Sequence, residues 1–411
     1  MLKISFIKKN KDKLIKSLKL RKFKNINLIY DILYLYKKNN FIKKKIDKLS
    51  KKINNYSKLY IYNKNNKKFY KKILIIKKYK KKINNKYKFI KKKLLNKIVL
   101  IPNILNDFYL NKKNKNKIII YKYGNYKKIN PNKFLSHIEL ANKFELFDTK
   151  LASSISGSGF VIYSGLGLKL YNALVKYFIY YNNIKGYKEY ELPYLVSKDS
   201  LYGTGQYPQK KNQIYNINKD KLYLIPTGEV PLINIYKNKI FNIRDLPIKA
   251  QTYTNCFRRE AGSYGKKVKG LNRIHQFGKV EIIEISDKKS SNIRLNKMLN
   301  HIKNLLKSLK LTFRILLLPS HDLSFTSSIT YDFEVYSVGQ KMWLEVSSLS
   351  NCLDYQSNNL NIKYKNNNKI RNCHTLNGSS LSIPRILASI IELYQKETKI
   401  EIPSILLPFY K

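Results

Sequence analysis

The sequence predicts an α+β protein, with an antiparallel helical hairpin at its N-terminus and a domain built on a mostly antiparallel sheet after it. Three observations carry this. Two long heptad seams face each other across a short polar break. The composition changes near His137, where glycines and acidic residues appear. From there on, short apolar runs of strand length alternate with stretches of helical length.

The first seam runs through Leu28, Ile32, Leu35, Asn39, Ile42, Ile46, Leu49, Ile53, Tyr56 and Tyr60, at alternating steps of four and three. Asn39 is its one polar position and is suited to fixing register. The second seam runs through Phe69, Ile73, Ile76, Lys80, Ile83, Tyr87, Ile90 and Leu94. The break at Asn63–Lys68 has room only for a turn, so residues 26–98 read as two antiparallel helices. Ile101-Pro102-Asn103 ends the pattern. Residues 1–105 are expected to form the helical arm, 106–135 a linker rich in Asn and Lys, and 136–411 the second domain.

The formal net charge is +57, from 82 Lys and Arg against 25 Asp and Glu. Such a charge points to a polyanionic partner, most simply nucleic acid, while A/T-rich codon usage would also inflate Lys. The distribution favours the partner, with codon usage as an amplifier. Residues 1–100 hold 35 of the basic residues but only three acids, Asp12, Asp31 and Asp47, and the first Glu is Glu139. Codon usage alone does not keep Glu out of one stretch and gather it in another. The arm therefore reads as a surface for an RNA backbone.

The three cysteines, Cys256, Cys352 and Cys373, lack CxxC spacing and read as reduced thiols of a cytoplasmic protein. No run is long and apolar enough to span a membrane. Met1–Asn10 lacks a signal-peptide core, whereas a transit peptide stays open because the N-terminus is basic throughout. The five histidines show no HxxxH or HExxH spacing, and neither GxGxxG nor GxxxxGK[ST] occurs.

Chemistry concentrates in Cys256–Glu281, CFRREAGSYGKKVKGLNRIHQFGKVE. An Arg in a strand followed by a Gly-containing loop suits an anion, since a guanidinium fork grips phosphate or carboxylate with two bonds. The basic loop Ser263–Arg273 then leads to a return strand. This run resembles motif 2 of the class II aminoacyl-tRNA synthetases in its seryl form. The resemblance extends, in order, over nearly the whole chain. Gly186–Pro193 resembles the dimer-forming motif 1. Leu201–Gln206 and Ile225–Pro231 resemble the serine-binding region, and Glu345-Val346-Ser347-Ser348 its EISS segment. Asn377–Arg385 resembles motif 3, and Ser136–Leu140 the opening of the catalytic domain.

The resemblance implies a homodimeric ligase that joins L-serine to ATP and passes the seryl group to serine tRNA, one tRNA spanning both subunits. Arg258 and Arg385 are then the catalytic arginines, at the α-phosphate with the serine carboxylate and at the far phosphates. Arg259 and Glu260 belong to the ATP site, with Glu260 near the adenine and Phe277 stacked on it. Glu345 and Ser348 hold Mg²⁺, with Val346 and Ser347 between them at the ATP. Thr227, Gly228, Glu229, Glu281 and Ser379 join Arg258 around the serine, and Lys266, Lys267, Lys269 and Arg273 face the tRNA end. Positioning and charge neutralisation carry the step without a general base. His275 reads as a structural partner in the hairpin. Some positions depart from the family pattern: Arg259 replaces Ser or Lys, Gly228 replaces Ala, Ser380 stands where Gly is frequent, and Ser357-Asn358-Asn359 replaces arginines. Two rivals are a synthetase-like enzyme loading another carrier, which should lack the basic hairpin, and a non-catalytic RNA-binding derivative, which should have lost Arg258, Glu345 or Arg385.

Overall fold

A computed structural model describes residues 1–63, 67–111, 116–126, 133–260 and 270–411. The chain divides into two compact units, Met1–Pro102 and Asn103–Lys411.

In the first unit, α1 (Ile4–Lys9) and α2 (Lys11–Leu20) precede α3 (Leu28–Tyr62) and α4 (Lys67–Ile98). The two long helices form the expected hairpin. Tyr56 packs on Phe69 near the turn, with ring centroids 6.3 Å apart, while Lys97 reaches Asp31 at 2.6 Å at the opposite end, so the helices are antiparallel. The 35 residues of α3 run for about 50 Å at the helical rise. The seam is buried at Leu28, Ile32, Leu35, Asn39 and Ile42 of α3 and at Ile73, Ile83, Ile90 and Leu94 of α4, and only half-buried at Ile46, Leu49 and Ile53. Two helices cover one stripe of each other, so most other positions face water, and those are the lysines. Asn39 is buried as the register residue, and its Oδ1 has no hydrogen-bond partner among the described residues.

The second unit is built on an eight-stranded sheet: β1 (Ile118–Tyr123), β2 (Lys188–Glu189), β3 (Ile248–Phe257), β4 (Gln276–Ser286), β5 (Phe313–Leu317), β6 (Ile329–Ser337), β7 (Met342–Asn351) and β8 (His374–Ser382). Its order is β1-β5-β6-β7-β8-β4-β3-β2. Every pairing is antiparallel except that of β2 with β3. Helices α5 (Gly165–Asn183), α6 (Ser291–Ser308) and α7 (Ile383–Leu393) pack against it. A strand's side chains alternate between faces, so Phe277, Lys279 and Glu281 of β4 share one side while Val280 and Ile282 are fully buried on the other.

One sequence expectation shifts. The segment 106–135, read as a linker, supplies edge strand β1, whose residues Ile118 to Tyr123 pair with Leu317 to Phe313 of β5. Before it, buried Asn103 donates to the carbonyls of Thr326 and Cys352, 2.8 Å each, and Tyr109 is buried. The high Asn and Lys content masked this strand, which is largely exposed at the sheet edge. Further along the chain, β2 is followed by a separate strand, Leu195–Ser197, paired with Leu222–Leu224 in a small sheet.

A buried carboxylate ties the second unit together. Glu392 on α7 is fully buried and accepts from the His137 backbone N–H (2.9 Å) and Nδ1 (3.0 Å), the Gly339 N–H (3.1 Å), Gln340 Nε2 (3.2 Å) and the Ser337 hydroxyl. On its other side, His137 Nε2 accepts from the Leu271 N–H at 3.1 Å, so Nδ1 carries the proton. Removing the carboxylate orphans these donors in a dry interior. Glu392→Ala is expected to cost about 3–5 kcal/mol in urea unfolding of the full chain. A loss below about 1 kcal/mol would show that the network is dispensable.

Candidate active site

Two adjoining cavities open on one side of the sheet. The first holds about 70 Å³ and is walled by Arg258, Glu260, Asn272, Arg273, Phe277, Val346, Ser347 and Arg385. The second holds about 210 Å³ and is walled by Gln206, Lys210, Pro226, Thr227, Glu229, Glu281, Thr326 and Asn377. Arg258, Lys279, Glu345, Ser348 and Ser379 line both. The expected ATP residues thus gather mainly in one cavity and the expected serine residues in the other, with Arg258 in the shared wall.

Arg258 stands one residue past the end of β3, where the Phe257–Gln276 pair marks the end of the β3–β4 ladder. Its backbone N–H donates to His275 O at 2.8 Å, and its Nε to Pro226 O at 3.0 Å. Its guanidinium lies 5.0 Å from the Phe277 ring centroid. One nitrogen and one face are spent on holding the fork; its terminal nitrogens form no hydrogen bond to the described residues that would compete for an anion. His275 takes the structural place expected of it: its Nδ1 lies 2.9 Å from Arg258 O and its ring stacks on Phe160 at 5.3 Å.

Arg385 enters from the first turn of α7. Its Nε donates to Asn272 O at 2.9 Å and its Nη1 to Glu345 O. Asn272 is itself held by Gln340, at 2.6 Å, and Gln340 by Glu392, so the buried network described above reaches this arginine. Arg273, expected at the tRNA end, is turned into the first cavity and pairs with Glu260. Arg259 lines neither cavity, and its N–H donates to Gln213 O at 3.0 Å. Lys266, Lys267 and Lys269 lie outside the described residues.

The second cavity is polar and closely packed. The Thr227 hydroxyl donates to Glu281 at 3.1 Å and accepts from Lys279 Nζ at 3.0 Å, while Lys279 also pairs with Glu281. Glu229 accepts from Gln356 at 2.6 Å and from Asn377. Burial, and then the neighbouring charge of Glu281, push the Glu229 carboxyl up to about 7. Burial, and then the Arg258 charge, press the Lys210 ammonium down to about 8. A Cβ on Gly228 would sit 2.9 Å from Thr254 Oγ1 and 3.0 Å from Thr252 Cγ2, so the alanine usual in the family would need the buried β3 threonines to move.

Sequence reasoning missed Lys279, Lys210, Gln356 and Asp332. Lys279 was visible by alternation, two residues from Glu281 on one face. Gln356 precedes the departing Ser357-Asn358-Asn359, where Ser357 is buried and bonds Cys373 O while the two asparagines are half-buried. Lys210 lay hidden in a lysine-rich run. Asp332 pairs with Ser348 across the β6–β7 ladder. Its Oδ1 has no partner among the described residues, and burial with the Glu345 charge raises its carboxyl to about 7.

The family model for the tRNA synthetase class II core domain (G, H, P, S and T) matches residues 212–394. The serine–tRNA ligase of Mesoplasma florum is 39% identical over 333 residues, 80% of this chain and 78% of that protein. The chain belongs to the serine–tRNA ligase family. The ligase of Methylacidiphilum infernorum is 44% identical over 279 residues, spanning 67% of this chain and 66% of that protein. The crystal structure of the Pyrococcus horikoshii seryl-tRNA synthetase complexed with ATP is 26% identical, covers 100% of this chain and 98% of its own, and superposes with a TM-score of 0.90.

The raised Glu229 carboxyl has a consequence for stability. The folded chain holds this proton up to about pH 7, whereas an unfolded Glu releases it near 4.5. The stability Glu229 contributes is therefore present below pH 4.5 and is lost as pH rises through 7. Glu229→Gln keeps the acceptor for Gln356 and removes the charge. It is expected to raise the Tm by a few degrees at pH 8 and leave it unchanged at pH 4; an equal shift at both would contradict the assignment.

Proposed function

We propose that the two cavities divide one reaction between them, and that Arg258 in their shared wall joins the halves. The reaction is that of the family: L-serine and ATP form seryl-adenylate with release of pyrophosphate, and the seryl group passes to the 3′ end of serine tRNA. Arg258 bonds the α-phosphate and the serine carboxylate. Arg385 meets the far phosphates, Glu260 the adenine end, and Phe277 and Val346 to Ser347 the nucleoside. Glu229 faces the serine ammonium, and Thr227, Glu281 and Ser379 surround the hydroxyl. A pocket built to bond a hydroxyl rejects alanine, because its buried partners would be left unpaired. What carries this reading is the position of Arg258, already tethered and facing both cavities.

The donors near Glu345 fit Mg²⁺. They are hard oxygens, from Glu345, Ser348 and the unpartnered Asp332 Oδ1. An ion of this kind is held by one or two protein carboxylates together with substrate phosphates. When bound, Mg²⁺ would neutralise phosphate charge, while Glu345 and Ser348 hold it and Arg258 and Arg385 orient the chain of phosphates.

The first unit is the tRNA-binding arm in this proposal, supported by its three acids among 35 basic residues. Lys266, Lys267 and Lys269 are assigned to the tRNA end on resemblance alone. A cytoplasmic homodimer joined through Gly186–Pro193 completes the reading, supported by the edge position of β2 in the sheet. No helix among the described residues is long and apolar enough to cross a membrane.

Serine-dependent exchange of pyrophosphate into ATP tests the first half-reaction. Serine is expected to support exchange at a kcat/KM at least about 100-fold above alanine or threonine; no exchange with serine, or faster exchange with threonine, would sink the reading. The arm is tested by changing Lys48, Lys51, Lys52, Lys77, Lys81 and Lys88 to Gln together. This variant is expected to keep exchange intact, raise the KM for tRNA and flatten its salt dependence. An unchanged KM for tRNA would remove the arm's role.

A further inference from the structure

α3 carries a second stripe that the seam does not use. Tyr30, Tyr34, Lys37, Phe41 and Lys44 recur at steps of four and three, each two residues after a seam position and so on the side turned away from it. With Lys8 of α1 and Lys11 of α2 they line a groove of about 580 Å³. The aromatic rings stand open to solvent: Tyr30 is 50% exposed, Tyr34 62% and Phe41 70%. Lysines lean over them, Lys11 Nζ 4.5 Å from the Tyr30 centroid and Lys38 Nζ 5.7 Å from that of Tyr34.

Exposed rings of this size need a partner that tolerates both apolar faces and dense positive charge. A second copy of the chain does not fit, since it would set the same lysines against each other. None of the unit's three acids lines the groove, and Asp31 is engaged by Lys97. A partner with flat aromatic faces joined by anions does fit: bases stack on rings, and phosphates meet the ammoniums between them. We propose that this groove binds unpaired nucleotides of an RNA, with bases stacked on Tyr34 and Phe41 and their phosphates at Lys8, Lys11, Lys37 and Lys44. The proposal rests on the reading of the first unit as a tRNA-binding arm and adds a stacking site to its electrostatic surface.

The test uses the full chain and a transcribed serine tRNA. Tyr34→Ala with Phe41→Ala is expected to raise the Kd by at least about tenfold, the scale of base stacking on aromatic rings, with an unchanged salt slope. Tyr34→Phe with Phe41→Tyr keeps both rings and is expected to stay within about twofold. Lys37→Gln with Lys44→Gln is expected to lower the salt slope by about 1.4. In Tyr34→Trp, the emission added to that of Trp343 is expected to be quenched by saturating tRNA. All variants should retain serine-dependent exchange, which reports folding elsewhere. A double alanine variant within twofold of the parent overturns the proposal, as does an unquenched Tyr34→Trp, which would assign the face to a protein partner instead. If the six-lysine variant weakens binding while these do not, only the stacking site fails; if neither does, the arm reading fails as well.

Discussion

The structure turns on how one guanidinium is held. Arg258 is anchored through Nε to Pro226 O and lies over the face of Phe277, which leaves its terminal nitrogens directed into two cavities. Two anions cannot approach each other in a low-dielectric cleft unless fixed positive charge already stands between them. A lysine could supply the charge but not the two-pronged geometry. The strands, the Pro226 loop and the buried network behind Arg385 all serve to place that fork and its counterpart before substrate arrives, so that little reorganisation is left for the reaction itself.

This preorganisation has a cost to the fold. Glu229, Glu281 and Lys279 are buried around one cavity that Lys210 also lines, and the carboxyl of Glu229 and the ammonium of Lys210 move in the directions that disfavour their charges. The hydrogen bonds from Gln356 and Asn377 offset part of that for Glu229. Such a site is stabilised by its ligands more than by itself, as expected where function holds charge that folding alone would discard. Elsewhere the second unit compensates: Glu392 is buried as well, yet it has five donors around it.

Much of this was legible in the sequence because it is periodic or contiguous. Heptad spacing located α3 and α4 to within a few residues, and the motif 2 resemblance placed Phe277 and Glu281 on one return strand. Charge asymmetry marked the first unit as unlike the second. What stayed hidden depends on distant pieces meeting. Strand β1 was obscured because its edge position needs no alternation and its neighbours are Asn and Lys. The Arg273–Glu260 pair joins residues 13 apart in sequence, a spacing that gives no signal of which way either side chain faces. Lys210 looks like every other lysine until its place in the wall of the second cavity distinguishes it, and Gly228 looks like a mild change until the threonines of β3 close over it.

In the proposed reaction Arg258 serves both halves of the site at once. Calorimetric titration of Arg258→Lys with ATP, and separately with L-serine, addresses it directly. If the fork spans both cavities, each ligand should bind at least about tenfold more weakly than to the parent, the scale of a charged hydrogen bond lost on each side. Weakened binding of one ligand with the other unchanged would overturn this and place Arg258 in a single cavity.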